Sequence, residues 1–227
     1  MTILAIDCGT TSARALIFAA DGRAIAMASR PLPMAYPHAG WVEQDAEDWW
    51  RATLATCREA VARAGATPLA IGITNQRETV VVWDRHTGAP IAPAIVWQDR
   101  RTAEVCARLR GDGLEALVQE RTGLLIDPYF SATKIAWILD HTPGARAAAQ
   151  RGDLACGTVD AFLVWRLTAG RVHATDATNA SRTSLYDPAR HDWDDDLLRA
   201  FAVPRALMPE VRDTSGDFGI AAALATD

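Results

Sequence analysis

Apolar and polar residues alternate at the start of this chain and then gather into blocks. Residues 3–6 are an apolar run that stops at Asp7, passes through Gly9, Thr10, Thr11 and Ser12, and resumes over residues 15–18. That pattern predicts two paired strands around a tight loop. Asp21-Gly22 turns the chain into a third strand over residues 24–28, giving a three-strand meander. Helical spacing follows. Asp45 is placed to cap a helix running to Ala64, with Trp49, Leu54, Cys57 and Val61 along one stripe and Gly65 closing it. Residues 69–74 and 79–83 read as short strands. Thr87-Gly88 then turns the second toward a hairpin partner over residues 91–97, and Asp99 begins a helix rich in Arg and Ala.

From Leu114 the pattern is mostly helical, over residues 114–121, 131–141 and 158–167, with Gly and Pro between. The last third looks more irregular, and the acidic residues 192–196 read as the solvated start of a helix over residues 197–201. Opening strands followed by alternating helices and strands predict an α/β domain with a mixed sheet.

Composition narrows the function classes. The 227 residues are 49 % hydrophobic, enough for one large α/β domain or two small ones. Acidic residues outnumber basic ones, 28 to 23, and no segment gathers the basic ones into a stripe, which argues against nucleic acid as a partner. Lys134 is the only lysine, so there is no Walker-type Gly-Lys-Ser/Thr loop, and phosphoryl chemistry would need another architecture. Cys8, Cys57, Cys106 and Cys156 are dispersed without metal-ligand spacing, which fits a reducing cytosol. Asp7 and Arg14 interrupt the first apolar run and no basic stretch precedes it. The expectation is therefore neither a leader nor a membrane span, and a cytoplasmic location.

Two blocks carry candidate chemistry. Backbone N–H groups in the 9–12 loop, with the hydroxyls of Thr10, Thr11 and Ser12 and the charge of Arg14, can cradle phosphate oxygens, and Asp7 at the strand end can hold a hydrated Mg²⁺. An ordinary hairpin whose Thr and Ser serve local backbone groups reads equally well from this segment alone. The second block, residues 75–79, directly follows an apolar strand, where α/β sheets commonly bind ligands. Arg77 donates and Glu78 accepts, so together they suit adjacent hydroxyls of a polyol, although on these residues alone a surface ion pair is the favoured reading. Trp97 closes the neighbouring hairpin and can wall a ligand's CH₂ groups, although burial in the core is the commoner fate of a tryptophan.

Taken together, residues 7–14, 40–45, 72–79, 97–102, 122–131 and 178–183 resemble the N-terminal domain of the FGGY family of carbohydrate kinases. Within it, Asn75-Gln76-Arg77-Glu78-Thr79 and Asp127-Pro128-Tyr129-Phe130-Ser131 are most similar to the glycerol kinase branch. The resemblance implies an actin-like ATPase, or ribonuclease H-like, fold with a mixed sheet flanked by helices. It implies nucleotide phosphate contacts at Thr10, Thr11, Ser12 and Arg14, an acidic residue near Mg²⁺ at Asp7, polyol contacts at Arg77, Glu78 and Tyr129, and an aromatic wall at Trp97. The implied reaction transfers the γ-phosphoryl group of ATP to glycerol or a similar polyol; a homo-oligomer is the one protein partner the sequence reading allows.

The family's general base, an aspartate in a Gly-Asp-Gln segment, has no counterpart here and is expected beyond Asp227. Residues 1–227 are accordingly expected to be the N-terminal domain, with residues 213–227 starting the connection to a second one, and the chain alone to be inactive. A kinase for another polyol or a pentulose, a non-catalytic binding fragment and an assembly ATPase are the competing readings. Arg77-Glu78 argues against the last of these.

Overall fold

In the computed structural model, which describes residues 1–224, the opening alternation becomes a sheet with one buried face. Strands β1 (Thr2–Cys8), β2 (Ser12–Ala19) and β3 (Ala24–Pro31) form the expected antiparallel meander. Leu4, Ile6, Cys8, Ala13, Ala15 and Ile17 point inward, two residues apart as a strand requires. The register sets Asp7 opposite Arg14. After the two-residue strand β4 (Glu43–Gln44), helix α1 (Ala46–Ala64) crosses the sheet and returns the chain to β5 (Ala70–Asn75), which lies parallel to β1. A parallel neighbour needs such a crossover.

The caps of α1 are those the sequence predicts. The Asp45 side chain accepts from Glu47 N, and Gly65, at φ 60°, donates back to Val61 O and Ala62 O. Its buried face differs, being Ala46, Trp49, Thr53, Thr56, Cys57 and Ala60, with Leu54 and Val61 at the margin. Small residues on that face let the helix axis approach the sheet closely.

Strand β6 (Val80–Asp84) is buried on both sides, with Val80 and Val82 in one core and Val81 and Trp83 in the other. A strand between two cores reads as a continuous apolar run. The expected hairpin partner shrinks to β7 (Ala94–Ile95), because Pro90 and Pro93 have no N–H to give to a ladder. The next helix, α2 (Ala103–Gly111), starts four residues later than expected. Asp99 is held in the preceding loop, where its carboxylate accepts from Val42 N at 2.6 Å and Arg101 N at 2.8 Å.

Helices α3 (Glu115–Thr122), α4 (Ser131–His141) and α5 (Ala145–Arg151) surround the first core. Strand β8 (Leu154–Thr158), which the sequence reading missed, completes a second antiparallel sheet in the order β4-β7-β6-β8. Its residues are small and wholly buried, so it shows no alternation. Thr158 ends this strand rather than opening α6 (Val159–Leu167). A Cβ at Gly157 would sit 2.5 Å from that of Ala161, so the close strand-to-helix turn requires glycine.

The last third is more ordered than its sequence suggests. Strand β9 (Ala174–Asp176), helix α7 (Ala177–Ala180), the hairpin β10 (Tyr186–Asp187) and β11 (Asp192–Trp193), helix α8 (Asp195–Ala200) and β12 (Glu210–Arg212) follow one another, with β12 parallel to β9. The acidic cluster is not merely solvated. Asp194 is buried and caps α8, and Arg205 pairs with Asp192 and Asp195.

Candidate active site

The loop between β1 and β2 is fixed through its backbone. Gly9 N donates to Ser12 O at 3.0 Å, Leu32 N to Thr11 O at 2.9 Å, and Gln44 Nε2 to Thr10 O at 2.8 Å. Gln44, which sequence reasoning missed, is buried and joins three elements, since its Oε1 also accepts from Trp49 Nε1 at 3.1 Å and Gln76 Nε2 at 2.7 Å. The loop's side chains are far less committed. Thr11 is exposed, Arg14 Nε reaches Ser12 Oγ at 3.3 Å, and Arg14 stands 4.0 Å from the partly exposed Asp7.

The end of β5 is built differently. Thr79 N donates to Arg77 O at 2.7 Å across Glu78, whose φ is 61°. This is a γ-turn in its rare positive-φ form, a strained conformation for a residue with a side chain. Distant side chains hold it. Ser131 Oγ and Lys134 Nζ donate to Glu78 O at 3.1 and 3.2 Å, and Arg182 Nε to Glu78 Oε1 at 2.7 Å. Glu78 is thus buried and paired with Arg182, while the adjacent Arg77 is exposed.

Lys134 also donates to Tyr129 O at 2.7 Å, so one buried ammonium ties both turns together. Burial pushes its pKa down to about 7, against the pull of Glu78, Asp99 and Asp127.

The aromatic wall connects these two parts. Trp97 and Tyr129 meet edge to face with ring centroids 5.7 Å apart, Trp97 N donates to Thr79 Oγ1 at 3.1 Å, and Trp97 Nε1 donates to Thr10 Oγ1 at 3.0 Å. Glu78, Tyr129, Trp97 and Thr10 therefore form one continuous arc from a buried carboxylate to the loop. Asp7, Arg14, Thr11 and Ser12 lie at its loop end, and Arg77 is next to its carboxylate end.

Lys134 and Arg182 were missed as site residues. Lys134 carries a signal as the only lysine in the chain, and Arg182 lies in the 178–183 block that resembles the family. A wide cleft of about 810 Å³ beside Gln44, between residues 33–35, 43–48 and 89–93, is rimmed by acids already engaged. Glu43 pairs with Arg101, Glu47 with Arg166, and Asp45 and Asp48 with Arg51.

Residues 2–225 match the N-terminal domain of the FGGY family of carbohydrate kinases. The chain belongs to that family. It is 64 % identical over 220 residues to a glycerol kinase of Methylobacterium nodulans, covering 96 % of this chain and 44 % of that protein. It is 60 % identical, with the same coverage, to a glycerol kinase of Nitrobacter hamburgensis. The chain thus spans less than half the length of the curated relatives it matches.

Among solved structures, Plasmodium falciparum glycerol kinase with ADP superposes at a TM-score of 0.93 and 30 % identity, covering 97 % of this chain and 44 % of that one. Xylulose kinase from Rhodospirillum rubrum gives 0.89 and 27 %, covering 99 % and 46 %. The FGGY domain of this chain therefore has the actin-like ATPase fold. Among its described residues no helix is long and apolar enough to cross a membrane.

Proposed function

We propose that this chain is the N-terminal half of a cytoplasmic glycerol kinase that transfers the γ-phosphoryl group of ATP to glycerol, giving sn-glycerol 3-phosphate and ADP. The observation that carries the reading is the Trp97 Nε1–Thr10 Oγ1 hydrogen bond, which sets a polyol-type surface directly against a phosphate-type loop. Phosphoryl transfer needs that adjacency, because its catalysis is mostly positioning and charge neutralisation. The 58–64 % identity to proteins named glycerol kinase supports glycerol as the polyol.

In this reading Thr10, Thr11, Ser12 and Arg14 bind nucleotide phosphate, Arg77, Glu78 and Tyr129 bind hydroxyls, and Trp97 packs against the carbon chain. Asp7 is a single, partly exposed carboxylate at a strand end, and no group of three or more potential ligands occurs among the described residues. That donor set fits Mg²⁺, which keeps most of its waters and takes one or two carboxylates plus phosphate oxygens. When bound, the ion neutralises phosphate charge. The general base belongs to the Gly-Asp-Gln segment expected beyond Asp227. Asp227 itself lies outside the described residues, and Asp217 is not in such a segment.

Glycerol-dependent ADP production with MgATP, measured in parallel on this chain and on a form extended through the second half of its relatives, tests the reading. Turnover by the extended form alone is expected. Turnover of another polyol or a pentulose in preference to glycerol would replace the substrate, and silence with every such substrate would overturn the kinase reading.

A further inference from the structure

The Glu78 side chain is 3 % exposed, yet the structure gives its carboxylate one donor, Nε of Arg182 at 2.7 Å. Its Oε2 has no donor among the described residues, and the Nη groups of Arg182 have no acceptor there. The Arg182 side chain is 28 % exposed, and neither Oε2 nor the Nη atoms are sealed in the core, so the unpartnered atoms of the pair open toward solvent, where a ligand can reach them. The guanidinium lies over Phe130 at 5.0 Å and near the ring of Tyr129 at 5.9 Å, at the end of the arc away from Thr10.

The segment that carries Arg182 is itself anchored. Asp176 caps α7 by accepting from Asn179 N at 2.8 Å, and Asn75 Nδ2, at the end of β5, donates to Asn179 Oδ1 at 3.0 Å. The same strand end therefore positions both partners of the Glu78–Arg182 pair. A free acceptor and planar free donors stand side by side against an aromatic wall. Each hydroxyl of a vicinal diol both donates and accepts, so one can give its hydrogen to Glu78 while its neighbour accepts from Arg182.

We propose that Arg182 is a further polyol-binding residue, which with Glu78 forms a donor–acceptor pair selective for a vicinal diol. The proposal rests on the polyol reading given above and adds Arg182 to Arg77 rather than replacing it. A guanidinium that merely neutralised Glu78 would support every ligand of the site equally. A diol-reading guanidinium supports glycerol more than propane-1,3-diol, which has no two adjacent hydroxyls.

The test is calorimetric binding of glycerol and of propane-1,3-diol to the unaltered chain and to Arg182→Gln and Arg182→Lys, with circular dichroism to check folding. The unaltered chain is expected to prefer glycerol. Arg182→Gln should weaken glycerol about tenfold or more and propane-1,3-diol much less, the loss of one charge-assisted hydrogen bond. Arg182→Lys keeps a positive charge beside Glu78 but not the planar fork, so it should fold as the unaltered chain does and still lose the preference. An unchanged preference in the folded variants, or equal weakening of both ligands, overturns the assignment and leaves the polyol reading standing. If Arg182→Gln does not fold, Arg182→Lys decides. If the unaltered chain does not bind glycerol, the same comparison is made in the form extended through the second half of its relatives, and failure of that form to bind glycerol overturns the polyol reading and this proposal with it.

Discussion

The loop at residues 9–12 and the turn at Glu78 face the same arc but are built in opposite ways. The loop is held mainly through its backbone, with Gly9 N bonded to Ser12 O and the Thr10 and Thr11 carbonyls accepting from Gln44 and Leu32, and it leaves Thr11 and Arg14 exposed. The Glu78 turn is held by Ser131, Lys134 and Arg182, which lie 53, 56 and 104 residues away along the chain. In the proposed reading the loop receives phosphate, which carries its own charge and many acceptors, so spare donors on a fixed backbone are sufficient. In the proposed reading the Glu78 turn receives a polyol, which has no charge and depends on a few groups aimed in advance, and those groups are aimed by contacts from across the domain.

The sharpest expected asymmetry is in stability. Lys134→Met removes the donor to the buried carbonyls of Glu78 and Tyr129, and should lower the free energy of unfolding by about 2 kcal/mol or more. Thr11→Ala and Ser12→Ala should each stay within about 0.5 kcal/mol. Urea unfolding of the three variants measures this, and equal losses would mean that the two regions are held alike.

The same difference explains what was legible beforehand. The β1–β2 hairpin, the caps of α1 and the helix Ser131–His141 follow from periodicity and turn residues within a short window, and they occur as expected. Strand β8 was missed because its small residues are buried throughout and do not alternate. The strand expected over residues 91–97 shortens to β7 because two prolines outweigh the apolar content there. Of the proposed site, residue types and strand-end positions point to Glu78 and Trp97, and Tyr129 enters through the family resemblance alone. The partnership of Glu78 with Arg182 instead of Arg77 was invisible, since it depends on a positive-φ turn and on tertiary packing that no local pattern records.

A pH series should separate the regions next. Lys134 has its pKa lowered by burial from 10.5 to about 7, so above pH 7 the unfolded chain binds more protons at this residue than the folded one. Its contribution to stability therefore rises with pH, with a slope approaching about 1.4 kcal/mol per unit. A neutral amine still has hydrogens for both carbonyls. Burial raises the thiols of Cys8, Cys57 and Cys156 to about 12, and they act in the opposite sense as the unfolded thiols ionise near pH 9. The window is thus about pH 7 to 8.5. The slope there should flatten in Lys134→Met and persist in Arg14→Ala, and a slope unchanged in Lys134→Met would show that the charge is compensated in the fold.

The smallest expected effect concerns the join between the regions. Thr10→Val removes the hydroxyl that accepts from Trp97 Nε1 and keeps the shape of the side chain, whereas Trp97→Phe removes the donor along with part of the ring. Each should weaken the fold, the second more because aromatic area is lost from the contact with Tyr129. Their combination isolates the bond. Once either partner is gone the other has nothing further to lose across that contact, so the double variant should fall short of additivity by about 1 kcal/mol. Additive losses would mean that the loop and the aromatic wall are neighbours without being coupled. The adjacency of the loop and the end of β5 would then depend on Gln44, which reaches the Thr10 carbonyl and Gln76 independently of the indole.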